Sequence, residues 1–217
     1  MLFRPATCRD ASVASLRRFR WTGVLLCSLA LLAGCREKSV SGGPEVLSGL
    51  EWTDQEGAEF SASSLAGRPF LLHFMFTSCP VACPRVAGLL KQTRQELSPQ
   101  LRERVAVVSI TVDPENDTAS QLRAFADREG IADPAWRFLR PGTGALDALA
   151  ARLTVFEPGA PRVPTAHSLT IYLFDAAGRP LQRYSAADID AAYLASEIAA
   201  LARVENSITL ASSGTQQ

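Results

Sequence analysis

Apolar residues along this chain fall into two alternating patterns, solid runs of strand length and sparse repeats at helical spacing. Phe70-Leu71-Leu72-His73-Phe74-Met75-Phe76 is nearly continuous, as suits a central strand covered on both faces. Val86, Leu89, Leu90, Thr93 and Leu97 then recur with Arg85, Lys91, Arg94 and Glu96 between them, which predicts an amphipathic helix of about 15 residues. Val105 to Val112 is a second buried strand, rich in β-branched residues and stopped by Asp113-Pro114. Strand, helix and strand in this order predict a parallel βαβ unit.

The flanking segments complete an α/β domain. Leu50 to Phe60 reads as two short strands around the turn Asp54-Gln55-Glu56-Gly57, an added N-terminal β-hairpin. Thr118 and Gln121 are spaced as a capping box before a helix bearing Leu122, Phe125 and Ala126. A short strand follows at Trp136 to Leu139 and a short helix between Gly144 and Leu153; Ser168 to Phe174 then turns through Asp175-Ala176-Ala177-Gly178 into Leu181 to Tyr184. Asp188 or a neighbour caps a last helix, and residues 205–217 read as a disordered tail. This order predicts a mixed sheet flanked by helices, which a thioredoxin-like fold over residues 47–204 satisfies.

Charge adds little until the N-terminus is set aside. The 22 basic and 22 acidic residues cancel, but Arg4, Arg9, Arg17, Arg18 and Arg20 face only Asp10 in the first 34 residues, which leaves 17 against 21 beyond them. Nothing there favours nucleic acid as a partner. Arg17-Arg18-Phe19-Arg20 precedes an apolar run of about a dozen residues, the length of a signal peptide's core and short for a bilayer span. Leu32-Ala33-Gly34-Cys35 resembles a lipobox, so residues 1–34 are expected to be a lipoprotein signal peptide, Cys35 the lipidated residue and 35–46 a flexible tether.

That reading simplifies the cysteines. Of five, Cys8 and Cys27 leave with the signal and Cys35 takes lipid, so Cys79 and Cys83 are the thiols of the mature protein. Export exposes them to oxidation, which leaves a disulfide, thiol exchange or a soft metal ion as their use. Pro84 is expected to open the helix with Cys83 at its cap, where free N–H groups lower a thiol's pKa. The chain has two histidines: His73 reads as a core residue within its strand, while His167 begins a strand after a proline- and glycine-rich loop.

Four blocks carry a resemblance to the Sco family, named for synthesis of cytochrome c oxidase. They are Asp54 to Gly57, Phe76 to Pro84, Val112 to Thr118 and His167 to Asp175. The resemblance implies a thioredoxin-like domain that faces the periplasm and binds copper through Cys79, Cys83 and His167. Cu(I) suits two thiolates and an imidazole, and Cu(II) is accommodated with an added oxygen donor. It also implies, as partners, the copper-site subunit of a terminal oxidase and periplasmic copper or thiol carriers, with the membrane reached through the lipid. The family's usual acid between the cysteines is replaced by Val81 and Ala82, a common arginine by Asn116, and the acid before the histidine by Ala166. Val163-Pro164-Thr165 is similar to the cis-proline segment of thioredoxins, with Ala166 and His167 intervening. The main alternative is a metal-independent thiol–disulfide oxidoreductase using Cys79 and Cys83, although three residues between the cysteines replace the usual two.

Overall fold

The computed structural model describes residues 43–213, with side chains to Arg203. The expected signal peptide, Cys35 and most of the expected tether lie outside the described residues. Six strands form one mixed sheet: β1 (Trp52–Asp54), β2 (Phe70–Met75), β3 (Ala106–Thr111), β4 (Trp136–Pro141), β5 (Thr170–Phe174) and β6 (Pro180–Ser185). Their spatial order is β1-β4-β3-β2-β5-β6. The helices are α1 (Ala82–Glu96), α2 (Pro99–Arg104), α3 (Ala119–Arg128), α4 (Ala145–Ala150) and α5 (Ala191–Ser213). None of the described helices is long and apolar enough to cross a membrane.

The two solid apolar runs become the central strands, and every residue of β2 and β3 is buried. They pair in parallel, with Met75 opposite Thr111, and α1 makes the crossover that parallel pairing requires. The other neighbour of β2 is β5, antiparallel, with His73 opposite Ile171. As a result β2 ends where β5 begins. The loop after Met75 and the loop before Thr170 therefore open on the same end of the sheet, although they are far apart in sequence. The face bearing His73 also carries Ser109, Trp136 and Phe138, with Phe125 of α3 packed 5.8 Å from Phe138.

Three boundaries differ from expectation. The N-terminal hairpin is present but short, closed by the Phe60 N–H on the Trp52 carbonyl and the Asp54 N–H on the Ala58 carbonyl. Strand β1 spends its pairing on β4 at the edge of the sheet, and the returning chain makes one bridge, Thr53 to Glu59. The turn itself is tied by Asp54, whose carboxylate accepts from the N–H groups of Glu56 and Ala58, while Gly57 takes a φ of 80° that L side chains disfavour. The folded domain also starts before residue 47. The N–H groups of Leu47 and Ser48 donate to the Pro44 carbonyl, Leu47 is fully buried, and a Cβ on Gly178 would come within 2.6 Å of Pro44. Lastly, α5 continues to Ser213 instead of yielding to a tail at 205. That stretch holds no glycine or proline before Gly214, and extending an existing helix costs far less than starting one.

Candidate metal and thiol site

The site lies at the sheet end where β2 stops. Cys79 follows β2 in a turn, its N–H donating to the Phe76 carbonyl at 3.3 Å. Helix α1 opens at Ala82, after Val81 as a cap with no side-chain hydrogen bond. The expectation that Pro84 would be the first helical residue is therefore two positions late. A proline in the first turn costs little, because the N–H groups there have no intrahelical partner anyway. Cys83 is thus inside the first turn, and its N–H donates to Cys79 Sγ at 3.3 Å. It is Cys79, not Cys83, that receives the helix's free donors.

This reverses the expected ionisation of the pair. Burial works against a charge on Cys79, but the N–H and thiol of Cys83 and the N–H groups of Val81 and Ala82 outweigh it and hold the Cys79 thiol below its ordinary value. Burial pushes the Cys83 thiol far up. The Phe76 backbone opposes this only in part, and both Cys79 and the Asp117 carboxylate add to the rise. Both cysteines are free and buried, Cys79 at 8% exposure and Cys83 at 1%.

His167 comes to the pair from the far strand. Its Nε2 lies 3.8 Å from Cys83 Sγ, and its ring meets Phe76 edge-on at 5.4 Å. The loop is held by a bridge to Phe156 and by the Ser168 N–H on the Val155 carbonyl. Pro164 does not take up the role of a cis-proline, since no cis peptide occurs among the described residues. It starts a short 3-10 turn over Pro164–Ala166, and its carbonyl accepts from His167 Nδ1 at 2.7 Å. With the proton on Nδ1, the Nε2 lone pair faces the thiols, the tautomer a metal-binding imidazole needs. A backbone carbonyl so does the orienting that an acidic side chain at position 166 would otherwise supply. Burial lowers the His167 pKa, opposed by the Pro164 carbonyl and by Glu157, and keeps the ring neutral.

His73 takes no part in this cluster. It sits within β2, with Nε2 and the Ser109 hydroxyl 2.7 Å apart, and Ser109 also accepts from Trp136 Nε1 at 2.8 Å. Its Nδ1 is buried without a hydrogen-bond partner, and burial, opposed by the Phe74 backbone and assisted by repulsion from His167 once both rings are protonated, takes its pKa down to about 4. Asp113 is turn chemistry, accepting from the Asn116 side chain at 2.9 Å and capping the turn with its carbonyl.

One residue at the site escaped sequence reasoning. Asp117 is 1% exposed and takes the Thr77 N–H at 3.0 Å together with the hydroxyls of Thr77 and Thr111. No local signal joins these three, because only the parallel register of β2 and β3 brings the two strand ends together. Val81 is the opposite case, 71% exposed at the rim. A broad cleft lined by Glu51, Asp113, Glu115, Arg140 and Arg162 reaches Pro164 but includes neither cysteine nor His167.

Two thiols and an imidazole lone pair are soft and borderline donors suited to Cu(I) or zinc and poorly suited to hard ions. They are adjacent without yet closing on one point. Among the described residues no three His, Cys, Asp or Glu side chains are drawn into a finished coordination sphere. The same atoms also make up a dithiol with one ionisable and one protonated member.

A mixed sheet with a CxxxC pair opening the first helix after its central strand, and a histidine beside it from an antiparallel neighbour, defines a thioredoxin-like dithiol–imidazole domain. The chain belongs to the SCO1/SenC family, whose model matches residues 40–203. The SCO1 protein homolog of Bacillus subtilis is 34% identical over 86 residues, 40% of this chain and 44% of that protein. Among solved structures, copper-bound ScoI of Bradyrhizobium japonicum superposes with a TM-score of 0.58 at 24% identity, covering 74% of this chain and 98% of its own. A SCO1/SenC family lipoprotein of Bacillus anthracis gives 0.62 at 22%, covering 76% and 98%. The chain spans less than half the length of the curated Bacillus relative, and the solved structures at these identities establish the fold.

Proposed function

We propose that this protein is a copper-binding assembly factor for cytochrome c oxidase, holding copper as cargo through Cys79, Cys83 and His167. The observation that carries the reading is the His167 imidazole, fixed by the Pro164 carbonyl so that its lone pair meets Cys83 Sγ at 3.8 Å. The copper bound in the Bradyrhizobium relative supports the choice of metal. Two thiolates and an imidazole fit Cu(I), and Cu(II) fits when an oxygen donor joins them. Cys79 gives up its proton first and makes the first contact with the ion. Cys83 is deprotonated as the metal binds, so binding releases protons.

The setting proposed is the bacterial cell envelope, with the domain facing the periplasm on a lipid at Cys35. The lipoprotein relative of Bacillus anthracis supports it. From there copper passes by ligand exchange to the copper-site subunit of a terminal oxidase, after loading from a periplasmic copper carrier.

A second reading is favoured by the unequal thiols: reduction of that subunit's cysteines before metal arrives. Cys79 thiolate attacks a disulfide sulfur of the partner, forming a mixed disulfide and releasing one partner thiolate. Cys83 then attacks Cys79, the second partner thiolate leaves, and the two electrons the partner gains match the Cys79–Cys83 disulfide formed. A related structure concerns a disulfide switch in a Sco protein.

Titration of the reduced protein with Cu(I) against a chromophoric chelator tests the first reading. One copper per chain is expected, and none for Cys83→Ser; unchanged copper in that variant overturns it. Rapid, stoichiometric reduction of a model disulfide by protein that takes up no copper decides for the second.

A further inference from the structure

Asp117 is a buried carboxylate without an ion-pair partner among the described residues. Its surroundings instead supply three uncharged donors, the Thr77 N–H at 3.0 Å and the hydroxyls of Thr77 and Thr111. An ionised carboxylate is acceptor-only, with room for about four such bonds, whereas an amide accepts at one oxygen. Burying that charge costs more free energy than burying an amide, and far more than burying an apolar side chain.

Its grip falls on one residue. The N–H and hydroxyl of Thr77 both go to Asp117, and the Thr77 carbonyl accepts from Arg128 Nη2 at 3.4 Å. Every polar group of Thr77 is therefore engaged from across the chain, 40 residues away in the case of Asp117. Two residues further on, the Cys79 N–H is committed to Phe76 and Cys79 Sγ receives the Cys83 N–H. The turn between Phe76 and Cys79 is thus held at one end by β2 and in its middle by the Thr77 clasp. The other end of the clasp rests on Thr111, the last residue of β3.

We propose that Asp117 is a positioning residue of the dithiol: by clasping Thr77 to the end of β3 it holds Cys79 over the first turn of α1 and sets how readily the two sulfurs join. This rests on the reading of Cys79 and Cys83 as a working pair. Closing the bond is an intramolecular step whose equilibrium scales with the effective concentration of one sulfur at the other, which a fixed turn raises. Releasing the clasp lets the Cys79 turn sample wider geometries in the dithiol state. The disulfide becomes less favourable and the couple more oxidising.

The test is the equilibrium of the full chain, free of copper, with dithiothreitol. Two protein thiols lose two protons and two electrons to form the Cys79–Cys83 disulfide, as oxidised dithiothreitol becomes its dithiol. In Asp117→Asn the constant for protein disulfide formation is expected to fall about tenfold, about 30 mV for a two-electron couple. Thr77→Val is expected to shift the same way, and the double variant to shift no further than Asp117→Asn alone, since both cut one linkage. A change of less than twofold in either single variant, or shifts that simply add, overturns the proposal. A merely structural role lowers the melting temperature and leaves this constant in place. Should Asp117→Asn fail to fold, Thr77→Val carries the same test. Because no metal enters the measurement, failure to bind copper leaves its outcome intact.

Discussion

Cys83 Sγ stands 3.8 Å from His167 Nε2 across 84 positions of sequence. The contact exists because β5 runs antiparallel to β2, with His73 opposite Ile171, so that one strand ends where the other begins. Thiol and imidazole arrive on separate loops that the sheet aligns, and the rigidity of the pair is that of the fully buried β2 and of β5, buried from Ile171 to Phe174.

Replacing that imidazole is the most direct perturbation. His167→Ala is expected to leave the thermal stability near that of the parent and to weaken Cu(I) binding at least about tenfold, or 1.4 kcal/mol. Competition with a chelator of known affinity measures it, and undiminished affinity would remove His167 from the proposed ligand set.

The two thiols are expected to react in order. Cys79 is held below the ordinary thiol value by the donors of the α1 first turn, and Cys83 is driven above it by burial. Alkylation of the reduced protein, mapped by mass spectrometry across pH, is therefore expected to label Cys79 at lower pH than an ordinary free thiol, with Cys83 slow throughout. Val81→Asp refines the prediction. The side chain at 81 is 71% exposed, so the carboxylate stays solvated and stability is unchanged. A like charge near the turn still disfavours thiolate, and Cys79 alkylation shifts to higher pH.

Acid is expected to destabilise the fold through His73. Burial takes its pKa from 6.5 down to about 4 in the folded state. Between these values the unfolded chain binds more protons, so stability present above pH 6.5 is lost as pH falls toward 4, on the order of 3 kcal/mol. Burial lowers His167 as well, and the loss from it has the same sign. Urea unfolding at pH 7 and pH 4.5 measures the total, and His73→Phe flattens the acid limb by its own share.

Arg94 is expected to matter for stability alone. It is 4% exposed, pairs with Asp133 at 2.5 Å and donates to the Arg102 carbonyl at 2.9 Å and the Val105 carbonyl at 2.5 Å, tying α1 to the start of β3. Arg94→Met strands these acceptors and costs about 3 kcal/mol, read from chemical denaturation, while the folded fraction keeps its copper stoichiometry.

Much of this architecture was legible because the cues are local. A run such as Phe70 to Phe76 announces a doubly covered strand by itself, and Thr118 with Gln121 forms the capping box their spacing predicted, with Thr118 Oγ1 accepting from the Gln121 N–H. The Asp54 turn was equally readable, but its return strand was not, since whether Ala58 to Phe60 pairs further depends on β1 having β4 as a neighbour. Pro84 misled in the other direction. Its penalty applies inside a helix, and tertiary packing set it in the first turn, where the missing N–H has no cost.

What the sequence by itself determined is the element order, the central strand leading into Cys79 and the close spacing of Cys79 and Cys83. These depend on residues within a few positions of one another. Only the tertiary structure decided which sulfur is favoured as thiolate, which nitrogen of His167 faces Cys83 and that Asp117 grips Thr77. Each of those depends on fields and hydrogen bonds summed over groups from different strands, and electrostatics follows distance in space, which strand register sets and sequence spacing does not.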